Sequence, residues 1–298
     1  MKELRTYQKA ALTSTWDYLH KNPQSHPLVV APVGAGKSLL IAEFARLIQN
    51  EYPRTRIVML THVKELLEQN MAELKEQFIG CDAGFYSAGL KQKRLNNDIT
   101  FASIQSVWKR ANEFNRAPEL ILIDECHLIP HNTQTRYRKF IDDCLKLNPN
   151  VIVIGFTGTP FRADSGRLDE GETRLFDSVA YEISMKFMFD EGYLCRPVVP
   201  ETNTILDVTG VHSRGGDYIQ SELEAAVNKD EITNSCIDEI LHYGKDRHRW
   251  LIFAAGIKHC ESIAAALTAR GIDCAIVTGK TPKAQREAII ERYNKGEL

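Results

Sequence analysis

Five short apolar runs, separated by segments of helical period, constrain this chain more than any other feature. They are Leu28-Val29-Val30, Ile57-Val58-Met59-Leu60, Ile99-Thr100-Phe101-Ala102, Leu120 to Ile123 and Val151 to Ile154. Each is too short for a helix and too continuous for a strand with one wet face. Each therefore reads as a strand of a parallel sheet, buried on both sides. Between them Leu40, Phe44, Leu47 and Ile48 recur at helical spacing, as do Leu67, Met71, Leu74 and Phe78. Strand–helix alternation of this kind predicts an α/β domain with helices on both faces of its sheet.

That first domain is expected to cover residues 1–190. A second alternating stretch follows over 191–298. Trp250-Leu251-Ile252-Phe253 and Ala275-Ile276-Val277 read as strands there. Ile263, Ala266 and Leu267 read as a helix face, and Ala284 to Tyr293 as a further helix. Two strands make a poor sheet by themselves, so the second domain reads as incomplete. Residues 161–180 and 207–217 are polar and contain glycine, and are expected to be loops.

Composition removes several classes. The 298 residues are enough for two domains. A formal net charge of -2 argues against a surface that is basic throughout, so contact with a polyanion must come from local patches. The seven cysteines include no C-x-x-C, which argues against a zinc site and a disulfide framework. The N-terminus lacks an apolar signal core, and no run approaches the roughly 20 apolar residues of a membrane span. A soluble cytoplasmic protein without a membrane partner is expected.

Two motifs carry chemistry. The first apolar run leads into Ala31-Pro32-Val33-Gly34-Ala35-Gly36-Lys37-Ser38. Glycines there let backbone N–H groups from Val33 to Ser38 approach phosphate at the start of a helix, with Lys37 on the β/γ-phosphates and Ser38 on a magnesium ion. The general pattern begins with Gly, and here that position is Ala31. The fourth run ends in Asp124-Glu125-Cys126-His127. Carboxylates at the C-terminal end of a buried strand lie where open α/β sheets place ligands. Asp124 is expected on the magnesium and Glu125 as the base that polarises an attacking water. Cys126 reads as a small packing residue. Together the segments predict a site for a nucleoside triphosphate and magnesium.

These two segments and Thr157-Gly158-Thr159-Pro160 occur in the order and spacing of motifs I, II and III of superfamily 2 helicases of the DEAD/DEAH type, which the chain resembles. Arg5-Thr6-Tyr7-Gln8 resembles the segment that recognises adenine. Thr61-His62-Val63-Lys64-Glu65-Leu66 resembles motif Ia, and Ser103-Ile104-Gln105-Ser106 motif Ib. The match is nearest to the RadD-like DNA-repair helicases. It extends through Ala88-Gly89-Leu90-Lys91, Gly192-Tyr193-Leu194 and Thr278-Gly279-Lys280-Thr281-Pro282.

The resemblance implies a RecA-like domain followed by a second, incomplete one, with ATP as the triphosphate. It implies that Arg5 and Gln8 contact adenine, that His127 belongs to the nucleotide site, and that Thr157 and Thr159 couple that site to domain movement. It places nucleic acid, DNA above RNA, on Thr61, His62, Lys64, Gly89, Lys91, Ser103, Gln105, Thr278 and Gly279. Local basic clusters at Lys91/Lys93/Arg94, Lys109/Arg110 and Arg136/Arg138/Lys139 are further candidates for that contact.

Nothing after Val277 matches motifs V and VI, which supply arginines to the nucleotide in the family. The expectation is a chain that binds ATP and hydrolyses it poorly. The leading function is an ATP-dependent helicase or translocase in DNA repair or recombination. The alternatives are a non-catalytic module whose DNA binding is switched by ATP, or the motor subunit of a restriction enzyme.

Overall fold

A computed structural model of the chain describes residues 2–162, 166–214 and 217–298. Residues 163–165 and 215–216 of the expected loops lie outside the described residues. The chain divides into two compact units, Met1–Arg196 and Pro197–Leu298.

The first unit runs α1 (Thr6–Lys21), β1 (Pro27–Val30), α2 (Lys37–Glu51), β2 (Ile57–Thr61), α3 (Lys64–Gln77), β3 (Ala83–Ser87), β4 (Gln92–Lys93), β5 (Ile99–Ser103), α4 (Ile104–Val107), β6 (Leu120–Asp124), α5 (Arg136–Leu147) and β7 (Ile152–Thr157). It closes with β8 (Phe161–Arg162), β9 (Gly166–Arg167), β10 (Ser178–Glu182) and α6 (Met185–Asp190). Eight strands form one sheet in the order β10-β1-β7-β6-β2-β5-β3-β4. Every neighbouring pair is parallel except β3 with β4.

All five apolar runs become strands of this sheet, and their side chains split by period two. Ile57, Met59, Leu120 and Leu122 enter one core with Leu40, Phe44, Leu67, Met71 and Leu74 of α2 and α3. Val58, Leu60, Ile121 and Ile123 enter the other with Phe140, Ile141 and Cys144 of α5. Burial of both faces is why each run reads as continuously apolar. β10 differs from the expectation, because residues 178–180 fall in a segment that reads as a loop. It is a half-exposed edge strand of mixed sequence, held by pairing with β1, and edge strands need no apolar run.

The second unit contains β11 (Ser213–Arg214), β12 (Asp217–Tyr218), α7 (Gln220–Val227), α8 (Asp230–Tyr243), α9 (Ile257–Thr268) and α10 (Lys283–Lys295). The two helices expected there are present as α9 and α10. The two expected strands are not: Trp250–Phe253 and Ala275–Val277 carry no strand assignment. Leu251 and Phe253 are 69% and 88% exposed. Among the described residues, the only ladder in this unit is the short β11–β12 hairpin. An apolar run without a neighbour for its N–H and C=O groups stays unpaired. Instead the two segments line an apolar cavity of about 580 Å³ with Ile263, Leu267, Ile289 and Tyr293. No helix among the described residues is long and apolar enough to cross a membrane.

Candidate functional site

The C-terminal ends of β1, β6 and β7 bring the two chemical motifs together. After β1, Ala31 is fully buried, and its N–H donates to the Thr157 carbonyl at 2.8 Å. The loop turns through Gly34 and Gly36 at φ +85° and +81°, a region that costs side-chain-bearing residues energy. A Cβ on Gly36 would lie 2.6 Å from Gln8 Nε2, so a side chain here would also displace the Gln8 amide. Ala31 takes no such φ, which explains why alanine serves where the general pattern has glycine. α2 begins at Lys37, with Gly36 as its N-cap. Its first N–H groups and dipole favour an anion at this end. Ala35 is buried, and Val33 is 77% exposed at the tip of the loop.

Lys37 Nζ lies 3.3 Å from Glu125 Oε1 and donates to the Ala31 carbonyl at 3.4 Å. Asp124, the last residue of β6, is 2% exposed. Its carboxylate accepts from Asn70 Nδ2 at 2.9 Å and from the Glu125 N–H at 3.0 Å. Burial raises its pKa above the usual carboxylate value, against the Asn70 hydrogen bond and the nearby Lys37. Glu125 takes φ +52°, ψ +47°, one of three non-glycine residues with positive φ among those described. Such strain persists only where surrounding structure fixes it.

His127 Nδ1 lies 2.9 Å from Thr157 Oγ1 and 3.4 Å from Glu125 Oε2. The Thr157 hydroxyl donates to the Thr159 carbonyl at 3.1 Å and accepts from the Thr159 N–H at 3.0 Å. With that proton committed, His127 Nδ1 is the donor and Nε2 is left as an acceptor. Burial lowers the His127 pKa, against the pull of Glu125, which favours the neutral ring. Cys126 is fully buried, and burial pushes its thiol well up, which fits packing and not nucleophilic chemistry.

Beside the loop, Gln8 is buried and its amide is engaged at both ends, with one N–H and one lone pair still available: Oε1 accepts from the Arg5 N–H at 2.9 Å, and Nε2 donates to the Ala35 carbonyl at 3.0 Å. Gln8 thus ties α1 to the phosphate loop. The Arg5 guanidinium lies 4.8 Å from the centre of the Tyr193 ring, which packs edge-on against Tyr7 at 5.0 Å. Ser38 Oγ accepts from Gln69 Nε2 at 3.2 Å. Gln69 and Asn70 are not among the residues the sequence motifs single out. The one available signal is Asn70 itself, a polar residue inside the apolar stripe Leu67, Met71, Leu74.

Among the described residues, no group of three or more His, Cys, Asp or Glu side chains converges to hold a metal. One buried carboxylate and one hydroxyl, Asp124 and Ser38, suit magnesium, which is held by few protein oxygens plus phosphate and water.

The ends of β2, β5 and β3 gather most of the residues expected at nucleic acid. Thr61 and Ser103 are buried register partners. Gln105 Nε2 donates to the His62 carbonyl at 3.2 Å. Gly89 lies beside Lys64, whose Cδ would be 3.7 Å from a Cβ at that glycine, and Lys91 is exposed. Thr278 and Gly279 belong to the second unit, in a turn before α10 closed by a 2.9 Å bond from the Thr278 N–H to Thr281 Oγ1. Two basic clusters are largely engaged internally. Arg138 donates to the Thr173 and Arg174 carbonyls, Lys139 pairs with Asp143, and Arg110 with Glu113. Lys109 and Arg136 lie over the Trp108 ring.

The family model described as "Type III restriction enzyme, res subunit" matches residues 1–162. The model described as "Helicase conserved C-terminal domain" matches residues 232–298. The chain is 25% identical to "Putative ATP-dependent helicase IRC3" of Saccharomyces cerevisiae, over 99% of this chain and 43% of that protein. It is 24% identical to "Putative DNA 3'-5' helicase Rad25" of Haloarcula marismortui, over 99% and 43%. The chain spans about half the length of the curated relatives it matches. The UvsW helicase of bacteriophage T4 is similar at 21% identity over 60% of each chain, with a TM-score of 0.45. That likeness is distant, and the chain's own geometry carries the reading.

Proposed function

The chain belongs to the family of type III restriction enzyme res subunits, in line with the resemblance of its motifs to superfamily 2 helicases, and from that premise we propose that it is the ATP-binding part of a nucleic-acid motor acting on DNA. The observation that carries this reading is the Lys37–Glu125 ion pair beside the buried Asp124. It joins a phosphate-binding lysine to a candidate base at the C-terminal end of the sheet. Residues 1–190 are the first RecA-like domain in this reading, and 191–298 the start of a second.

The residues divide the work as follows. The loop N–H groups and the α2 terminus bind the triphosphate, and Lys37 exchanges Glu125 for phosphate. That exchange frees the Glu125 carboxylate to take a proton from water. Asp124 and Ser38 hold magnesium, which when bound neutralises charge developing on the phosphates. Arg5, laid on Tyr193, offers its other face to the purine. Neutral His127, locked by Thr157, links Glu125 to the Thr157–Thr159 turn, which passes the state of the site to domain movement. Thr61, His62, Lys64, Gly89, Lys91, Ser103 and Gln105 track the nucleic-acid backbone. A place in DNA repair or recombination rests on the RadD-like resemblance. The family's description favours a second reading, the motor of a restriction assembly.

The test is binding of a fluorescent ATP analogue with and without magnesium, followed by hydrolysis assays with single-stranded DNA, duplex, forked DNA and RNA. Magnesium-dependent binding is expected, and Lys37→Ala should abolish it with the circular dichroism spectrum intact. Binding indifferent to that substitution, or turnover indifferent to every nucleic acid, would overturn the assignment.

A further inference from the structure

Two consecutive amide side chains of α3 reach the two groups expected to hold the cation. Gln69 Nε2 donates to Ser38 Oγ at 3.2 Å, and Asn70 Nδ2 donates to Asp124 Oδ2 at 2.9 Å. Asn70 is the more informative. It is 1% exposed and sits in a stripe where Leu67, Met71 and Leu74 are the buried neighbours. Its Oδ1 is buried with no hydrogen-bond partner. The amide cannot be turned to relieve this, because only the NH₂ end can face a carboxylate. A buried acceptor left unpaired costs stability that an apolar residue would not. The cost falls beside the carboxylate of the candidate metal site, where unpaired groups most need an explanation.

We propose that Asn70 is a positioning residue for the cation site: its NH₂ orients the Asp124 carboxylate, and its free Oδ1 accepts a hydrogen bond from water in the hydration shell of the bound magnesium. Magnesium dehydrates reluctantly and keeps several waters, so an acceptor beside its carboxylate ligand has a donor to meet. Outer partners of this kind fix ligand geometry as much as the ligands do. The same helix begins at Lys64, at the sheet end expected to meet nucleic acid. A shift of α3 there would reach Asp124 and Ser38 through these two amides. The inference rests on the nucleotide-site reading above.

Two substitutions separate positioning from packing. Asn70→Leu keeps the branched shape and removes donor and acceptor, and Asn70→Gln keeps both. The measurement is the magnesium concentration that half-restores binding of a fluorescent ATP analogue, with binding in EDTA and melting temperature as companions. Asn70→Leu should raise the midpoint about 10- to 100-fold, the usual cost of losing an outer partner, with EDTA binding unchanged. Asn70→Gln should recover most of that loss. A midpoint unmoved by Asn70→Leu, or raised as far by Asn70→Gln as by Asn70→Leu, overturns the proposal. Should Asn70→Leu not fold, Asn70→Ala takes its place with the same expectation. A wild-type chain without magnesium-dependent binding would instead sink the nucleotide reading, and this inference with it.

Discussion

Where β1, β6 and β7 end, the polar groups are already joined to one another; where β2, β5 and β3 end, Thr61 and Ser103 are buried, while the lysines of that end are held by no ion pair among the described residues. On the first half, Lys37, Glu125, His127 and Thr157 form a connected chain of contacts, and Asp124 is held by two further donors. On the second half, the backbone groups are fixed by the ladder and by the Gln105–His62 bond, while Lys64 and Lys91 have no ion pair among the described residues. The two halves belong to the C-terminal end of one sheet and differ in preorganisation. Under the proposed function the first would serve chemistry, where dipoles fixed before reaction matter most. The second would serve sliding contact, where mobile charges suffice.

The largest effect that could break this contrast is at Glu125. Glu125→Gln removes the base but keeps shape and hydrogen bonding. Hydrolysis should fall by about 10²–10⁴, the usual contribution of a general base, with nucleotide and DNA affinity retained. Single-turnover kinetics beside equilibrium binding separate the two. A fall of less than tenfold would assign the base elsewhere and leave the strained Glu125 backbone without a role.

Next comes the lock on His127. Thr157→Val keeps volume and removes the hydroxyl that receives His127 Nδ1 and the Thr159 N–H. Losing two hydrogen bonds from part-buried donors, each worth about 0.5–1.5 kcal/mol, should cost ~1–3 kcal/mol in all. If that cost is borne in the transition state, it slows turnover roughly 5- to 160-fold. DNA affinity without nucleotide should not change, because the other half of the sheet end does not share the hydroxyl. Loss of DNA affinity in this variant would mean the two halves are one unit even at rest.

One half of the sheet end is more legible in the sequence than the other, for physical reasons. The phosphate loop is legible because its residues answer a backbone demand: glycine at positive φ, then a helix. Asp124 is legible because a carboxylate ending four apolar residues can only be a strand end. Asn70 leaves almost no mark, since a single polar residue in a helical stripe looks like a minor lapse. β3 and β10 lie at or next to the margins of the sheet, are only partly buried, and so carry no continuous apolar run. Trp250–Phe253 misleads for the complementary reason. An apolar run reports a wish for burial, and pairing needs a partner that the run itself does not encode.

The smallest expected effect sharpens the second half. Lysines that meet phosphate release counterions, so deleting one such lysine should flatten the log–log salt dependence of single-strand binding by about 0.7. Lys64→Ala and Lys91→Ala should each do so, and a fourfold rise in salt would then cost each variant about 2.6-fold less affinity than wild type. Arg110→Ala and Lys139→Ala are the internal controls. Their partners Glu113 and Asp143 already hold them, so their slopes should match wild type. If all four variants flatten the slope equally, positive charge is acting at long range over the whole face. The second half would then be a diffuse field and not a track. If only Lys64 and Lys91 do, the strand follows the ends of β2 and β3, over the start of the helix that carries Asn70.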